Sequence, residues 1–156
     1  MFQANDAPAL KALARESILT SVQVNKEILT RIIDHTDKHI DTNITQTNGV
    51  FLKCVQKATQ VSDGEKKEIR GFILIQDYWN LSDLFVAAAF HKQGIGKALW
   101  LHALSLWQKQ PQRKDIHVNA SANAEAFYKH LGFVDRETSN TTPNFIVPLK
   151  YQHNRS

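Results

Sequence analysis

The sequence predicts an α+β fold of three layers, α/β/α, in which a mixed, mostly antiparallel central sheet carries helices on both faces. Three observations predict it. Residues 49–78 hold two runs of strand formers around a polar turn, the pattern of a hairpin. A mostly apolar run, Leu81–Ala88, leads into a glycine turn and then a helix, as a central strand would. Apolar residues recur at helical spacing both before and after these strands, so helices flank the sheet.

The elements follow in order. Phe2–Ala4 reads as a short strand. Asp6 offers an N-cap and Pro8 fits the first turn of a helix whose apolar side is Leu10, Leu13, Ile18 and Leu19. A second helix is expected over about Lys26–Ile40, where Ile28, Leu29, Ile32 and Ile33 share a face. Val50–Val55 alternates and is rich in strand formers. Ser62–Glu65 is a turn signal, and Glu68–Tyr78 returns as a second long strand. Leu81–Ala88 is the third strand. Gly94-Ile95-Gly96 opens a helix that Pro111 bounds near Lys109. Ile116–Asn119 is a short strand, and Ala122–Leu131 is a helix stopped at Gly132, where a C′ glycine belongs. Phe133–Asp135 and Phe145–Leu149 close the sheet.

At 156 residues the chain fits one domain on the rough rule of 100–200 residues each, so residues 1–156 are expected to form a single unit. Hydrophobic residues make up 42% and charged residues 22%, which excludes a fully disordered chain. No apolar run approaches the roughly 18 residues that span a bilayer, so no membrane partner is expected. Met1–Asp6 shows no basic segment followed by an apolar one, the mark of a secretory leader. A single cysteine, Cys54, can make neither an internal disulfide nor a thiolate zinc site. No metal site is expected, and the expected address is cytoplasmic.

With 19 basic and 15 acidic residues the net charge is +4. That suits a nucleic-acid binder or a protein that holds a small polyanion. From Gln93 to Lys114 stand Lys97, Lys109, Arg113 and Lys114 with no acid between them. A basic stretch that begins at a glycine turn hints at a phosphorylated ligand.

The chemistry centres on Leu84–Leu99, where a buried strand meets a glycine turn and then a helix. Glycine lets backbone approach a ligand. The first N–H groups of a helix lack internal partners, and its dipole favours negative charge there. The combination can hold a diphosphate. Gly94 and Gly96 can equally be a tight strand-to-helix turn. A P-loop would need glycine at His91 and Ser or Thr at Ala98, and a dinucleotide fingerprint would need a small residue at Leu99. Neither fits.

Leu84–Leu99 resembles the acetyl-CoA-binding motif of the GCN5-related N-acetyltransferases, the GNAT family. That motif reads Arg or Gln, two residues, Gly, one residue, then Gly or Ala. The stretch Val118–Phe133 resembles the family's second signature, a strand and polar turn followed by an alanine and Phe-Tyr-x-x-Leu-Gly-Phe, here Phe127-Tyr128-Lys129-His130-Leu131-Gly132-Phe133. Both occur in the family's order, and the resemblance covers essentially the whole chain, most faintly over residues 1–48.

The resemblance implies the GNAT fold and an acyltransferase that moves an acetyl group directly from acetyl-CoA, its co-substrate, to an amine acceptor. The expected assembly is a monomer or homodimer. Backbone of Leu84, Phe85 and Val86 would pair with the pantetheine arm. Backbone N–H groups of Lys92, Gln93, Gly94, Ile95, Gly96 and Lys97 would cradle the diphosphate. His91 stands where the family has Arg or Gln, which leaves its side-chain contribution open. Asn119 and Ser121 would lie beside the pantetheine, and Tyr128 near the thioester sulfur. A strand N–H near Phe85 or Val86 could stabilise the charge that develops on the carbonyl oxygen. The leaving thiolate has a conjugate acid of pKa about 8.5, to which a phenol can donate a hydrogen bond or a proton.

The base is less defined. Asp83 begins the central strand, on the face shared by Leu81 and Phe85 by alternation, and is the candidate alongside His117, which shares a face with Asn119. His102 is expected at the surface. The glutamate common on the family's central strands is absent from Leu81–Ala88 and Ile116–Asn119, so a water relay or an already neutral acceptor stays open. Tyr78 and Trp79 could wall an acceptor pocket or pack the core, whereas Trp100 and Trp107 fit a packing stripe. Lys109, Arg113 and Lys114 either meet a nucleotide phosphate or are solvated. Two other classes compete: a non-catalytic acyl-CoA-binding sensor, and a basic nucleic-acid-binding protein. The last is disfavoured by the lack of a zinc pattern, an aromatic RNA-binding signature or one basic helix face.

Overall fold

The structure, a computed structural model, describes residues 2–55, 68–137, 142–143 and 145–154. Ten helices and strands are used here: α1 Ala7–Ser21, α2 Lys26–Asn43, β1 Gly49–Val55, β2 Ile69–Gln76, β3 Asn80–Val86, α3 Ile95–Gln108, β4 Ile116–Ser121, α4 Glu125–His130, β5 Val134–Asp135 and β6 Ile146–Tyr151. The sheet order is β1-β2-β3-β4-β6-β5. Only β3 and β4 run parallel, and the other neighbours are antiparallel. The α+β reading with a mixed, mostly antiparallel sheet therefore stands.

The expected first strand does not form. Ala4–Asp6 is a single 3-10 turn, closed by Gln3 N–H donating to the Asp6 carboxylate at 2.9 Å. Phe2 is apolar because its ring packs on Phe51, 4.0 Å between centroids, and not because it pairs. Asp6 also differs from its expected role. It sits at the α1 N-cap position but gives no side-chain bond to the helix, and instead accepts from Lys53 Nζ at 2.6 Å. Pro8 lies in the first turn as expected. At α2 the cap is Asn25, whose Oδ1 accepts from Ile28 N–H at 2.9 Å.

β1 and β2 pair antiparallel, Gly49 opposite Gln76, and the turn read at Ser62–Glu65 lies outside the described residues. The helix expected over Ala122–Leu131 begins as a 3-10 turn, Ala122–Ala124, before α4. Gly132 follows with φ +106°, the left-handed conformation that glycine tolerates.

Two cores form, one on each face. Trp100, Ala103 and Trp107 of α3 bury against Ile73, Ile75 and Val118, with Tyr128 and Phe133 alongside. Leu10, Leu13 and Ala14 of α1 and Ile40 of α2 bury against Phe72. Each fully buried large apolar side chain is worth about 1.5–3 kcal/mol, so the sheet is clamped from both sides.

The feature that positions the site is a split in the sheet. β3 and β4 pair only at Asn80–His117 and Leu81–Val118. Beyond them β3 stays with β2, while β4 stays with β6 as far as Ser121. A β-bulge sits at the start of the split, because Ile75 faces Leu81 but Leu74 faces Asp83, leaving Ser82 extra.

Candidate active site

A cavity of about 800 Å³ fills the split. One wall is Leu84, Phe85 and Val86 of β3, and the opposite wall is Val118–Ser121 of β4. Ser17 and Ile18 of α1 and His35 and His39 of α2 line it from one side, and Tyr128 of α4 also faces it. Past Leu81 the β3 edge toward β4 has no partner strand among the described residues, so alternate N–H and C=O groups there can pair with an extended ligand, as an edge strand does.

The cavity reaches the glycine turn at His91. Lys92 and Gly94 have φ of +63° and +78°. Gly94 caps α3 without a side-chain bond, and Ala98 N–H is the one that returns to Gly94 O. The N–H groups of Ile95, Gly96 and Lys97 therefore precede the first helical bond. A Cβ at Gly94 would meet nothing within 4 Å, so the approach is open. Gly96 has a second reason to be glycine. A Cβ there would lie 3.3 Å from the Phe127 ring, so α3 and α4 pack closely at that point. These features fit an anionic, phosphorylated group. The His91 imidazole does not stand free above the turn: its Nε2–H donates to Val86 O at 2.7 Å. Lys92, Gln93 and Lys97 are exposed around it.

Asn119 and Ser121 both line the cavity, and Asn119 Oδ1 accepts from the Arg136 guanidinium. Tyr128 is buried, with its ring edge-on to Phe127 and Phe133 at 5.3 and 5.2 Å. Burial, and secondarily the Asp83 carboxylate, push its phenol pKa well above the ordinary value. Tyr128 therefore stays a neutral donor, better suited to hydrogen-bond a thiolate than to surrender its proton. Its hydroxyl has no hydrogen-bond partner among the described residues.

Asp83 is not the solvated strand-end acid that alternation suggests. It is 2% exposed. The bulge at Ser82 shifts the alternation, so Leu81 joins the α3 core while Phe85 packs toward α1 and α2. Asp83 turns to the α2 side, where His39 Nδ1 lies 3.2 Å from its Oδ2 and the Ser82 hydroxyl donates at 2.8 Å. His39 lacked any signal in the strand motifs, and its only trace in the sequence is the four-residue spacing from His35 on an amphipathic helix.

Other candidates lie elsewhere. His117 lines a smaller hollow of about 300 Å³ with Trp79, Arg113, Lys114, Asp115 and His153. Burial first, then Arg136 and Lys150, outweigh Asp115 and lower its pKa. Trp79 stands edge-on to His117 at 5.5 Å, and Tyr78 packs against the α3 core, so neither walls the main cavity. Lys109, Arg113 and Lys114 follow the C-terminal end of α3, a helix length of roughly 20 Å from Gly94 at 1.5 Å per residue. Arg113 instead donates to Gln108 O at 2.8 Å and covers Trp107. His102 is exposed, and Trp100 and Trp107 are buried as expected. Cys54 is half-buried against the α3 core. Among the described residues no cluster of three metal-ligating side chains occurs, and no helix is long and apolar enough to cross a membrane.

Fold and site together define an acyltransferase class: a mixed sheet split at its centre, with a glycine turn and a helix start at the mouth of the split. The acetyltransferase (GNAT) domain matches residues 35–153. The chain belongs to the GCN5-related N-acetyltransferase family. Among solved structures it is similar to the PaiA N-acetyltransferase of Thermoplasma acidophilum in complex with coenzyme A, at 18% identity and a TM-score of 0.72, over 95% of this chain and 93% of that one. It is also similar to a GCN5-related N-acetyltransferase from Rhodopseudomonas palustris, at 15% identity and TM-score 0.70 over 97% and 92% of the two chains. The ribosomal-protein-S18-alanine N-acetyltransferase of Escherichia coli follows at 16% and 0.65, over 99% and 92%. At such identities the likeness speaks for the fold alone. No curated protein matches the chain.

Proposed function

We propose that the protein is an acetyl-CoA-dependent N-acetyltransferase that moves the acetyl group directly to a primary amine of a small molecule or of a peptide or protein. The observation that carries the reading is the continuity of one cavity, from the unpaired β3 edge past Tyr128 to His91, at the head of the turn that leads into α3. Residues 1–156 act in this proposal as one catalytic domain, a cytoplasmic monomer or homodimer.

Acetyl-CoA would supply the activated acyl group, and the chain supplies three things. The backbone of Leu84–Val86 orients the carrier along the strand edge, with Asn119 and Ser121 on the far wall. The backbone from Lys92 to Lys97 holds the diphosphate, with His91 tying the turn to Val86. A β3 N–H near Phe85 or Val86 faces the developing negative charge on the carbonyl oxygen, and the neutral Tyr128 phenol donates to the departing sulfur. Cys54 and the serines stand outside any nucleophile motif, which favours direct transfer over an acyl-enzyme.

The test is thiol release from acetyl-CoA across a panel of primary amines. Amine-dependent release supports the enzyme. CoA binding without release from any amine supports the competing sensor of the same fold.

A further inference from the structure

Asp83 is a carboxylate with almost no access to water, and a buried charge must be paired or hydrogen-bonded to be tolerated. Its partners come from two elements. Ser82 donates from the bulge at 2.8 Å, and Gln76 Nε2 in turn donates to the Ser82 hydroxyl at 2.9 Å. His39 approaches from α2 at 3.2 Å, and Asn43 Nδ2 holds the backbone there by donating to His39 O at 2.9 Å. A carboxylate only accepts, so the tautomer that satisfies Asp83 carries its proton on Nδ1. Nε2 is then left with a lone pair. It makes no hydrogen bond among the described residues, and the His39 side chain is 23% exposed where it lines the cavity.

Resting on the acetyltransferase reading, we infer that His39 is the general base that takes the proton from the acceptor ammonium, and that Asp83 is its positioning residue. The logic is that of any imidazole whose second nitrogen is fixed by a carboxylate: the carboxylate sets tautomer and orientation and stabilises the cation that forms. His39 Nε2 accepts one N–H proton of the ammonium. The freed nitrogen lone pair forms the C–N bond to the acetyl carbonyl carbon. The C–S bond breaks with its electron pair on sulfur. A second nitrogen proton leaves as the amide forms, and in sum sulfur gains one proton while His39 releases the other to water. The charged and titratable groups around His39 are few. Among the described residues they are His35, edge-on at 4.7 Å one turn away, Asp83 on β3, Arg31 further along α2, which is paired with Glu27, and Tyr128 and His91, which line the same cavity. The α1 residues lining the cavity are uncharged.

The test uses the full chain, acetyl-CoA, and primary amines of graded basicity. His39→Asn keeps an amide N–H toward Asp83 but has no base, so CoA affinity and melting temperature should hold while kcat/KM falls by about 10²–10⁴-fold. Its defect should shrink steadily as the amine becomes less basic and arrives already neutral. The acidic limb of the wild-type kcat/KM profile should be replaced by a dependence on free amine alone. Asp83→Asn, which presents the wrong hydrogen to Nδ1, should share the loss. A wild type that turns over amines, with a His39→Asn variant that keeps its rate, or a defect constant across the series, overturns the inference and leaves the acetyltransferase reading intact. A wild type that releases no thiol with any amine overturns both.

Discussion

Replacing Tyr128 by Phe removes one oxygen and keeps the ring. The ring belongs to an aromatic group with Phe127 and Phe133, while the hydroxyl contributes no hydrogen bond among the described residues. The hydroxyl faces the cavity, so its removal should leave stability within about 1 kcal/mol. Activity should behave differently. The raised phenol pKa, caused by burial and then by Asp83, makes the group a hydrogen-bond donor and a poor proton source. A hydrogen bond to a charged partner is worth about 1.5–3 kcal/mol, which at 1.36 kcal/mol per tenfold is a loss of about 10- to 150-fold in kcat. That is less than the full range expected of a proton-transferring acid. KM should barely move, because the charge on sulfur exists only beyond the ground state. The sign of the shift adds a second readout. The folded phenol keeps its proton above the unfolded value of about 10, so wild-type stability falls as pH climbs past about 10, and the Phe variant should lose less. Steady-state thiol release with chemistry rate-limiting, together with melting curves, measures both. An unchanged kcat, or a variant several degrees less stable, would refute the assignment.

Other perturbations separate binding from folding. Gly94→Ala puts a side chain at φ +78° in open space, costing about 1–2 kcal/mol of strain, and calorimetry should show CoA binding lost with only a modest fall in melting temperature. Gly96→Val drives a branched side chain toward Phe127, so binding and stability should fall together, and normal CoA affinity in both glycine variants would move the diphosphate site elsewhere. His91→Ala removes the bond to Val86 O in an exposed turn, and CoA affinity should drop tenfold or less, about 1.4 kcal/mol. Asp6 is lowered in pKa because bonds from Gln3 N–H and Lys53 outweigh its burial. Its contribution is present above the unfolded value of about 3.9 and is lost as pH falls below it. Asp6→Asn should cost about 0.5–1 kcal/mol at pH 7 after solvent screening and progressively less in acid, as urea titrations at pH 7 and pH 3 would reveal.

What the sequence carried and what it hid have the same physical origin. Periodicity, apolar runs and turn residues are local properties, and the elements from α1 to β6 announced themselves by one or another of them. The glycine turn was equally legible, since the strand, the turn and the helix start are contiguous at residues 84–99. Phe2 misled because an apolar residue looks the same whether it pairs or packs. Lys109, Arg113 and Lys114 stayed open between a phosphate and solvent because proximity in sequence does not say how far a helix of 14 residues carries them from the glycine turn.

The base was hidden more deeply, and the bulge explains why. Strict alternation puts Asp83 with Leu81, facing α3, and makes it a solitary acid at a strand end. One extra residue at Ser82 reverses that parity, buries the carboxylate under α2, and opens the sheet on its other edge. The same residue also donates to Asp83 and accepts from Gln76, so the irregularity that splits the sheet anchors the polar chain leading to His39. Register errors flip every side chain beyond them, and no pattern within β3 alone reports one. The contact that matters spans 44 residues, from β3 to α2. Deleting Ser82 should therefore do more than shorten a strand. It would make the pairing regular, with Leu81 opposite Ile75 and Asp83 opposite Leu74 still on the α2 face, but it would take away the hydroxyl that donates to Asp83 and the irregularity at the start of the split, so the chain should lose CoA binding and amine-dependent thiol release together. Retention of either, with the fold intact by circular dichroism, would show that the bulge is incidental to the site.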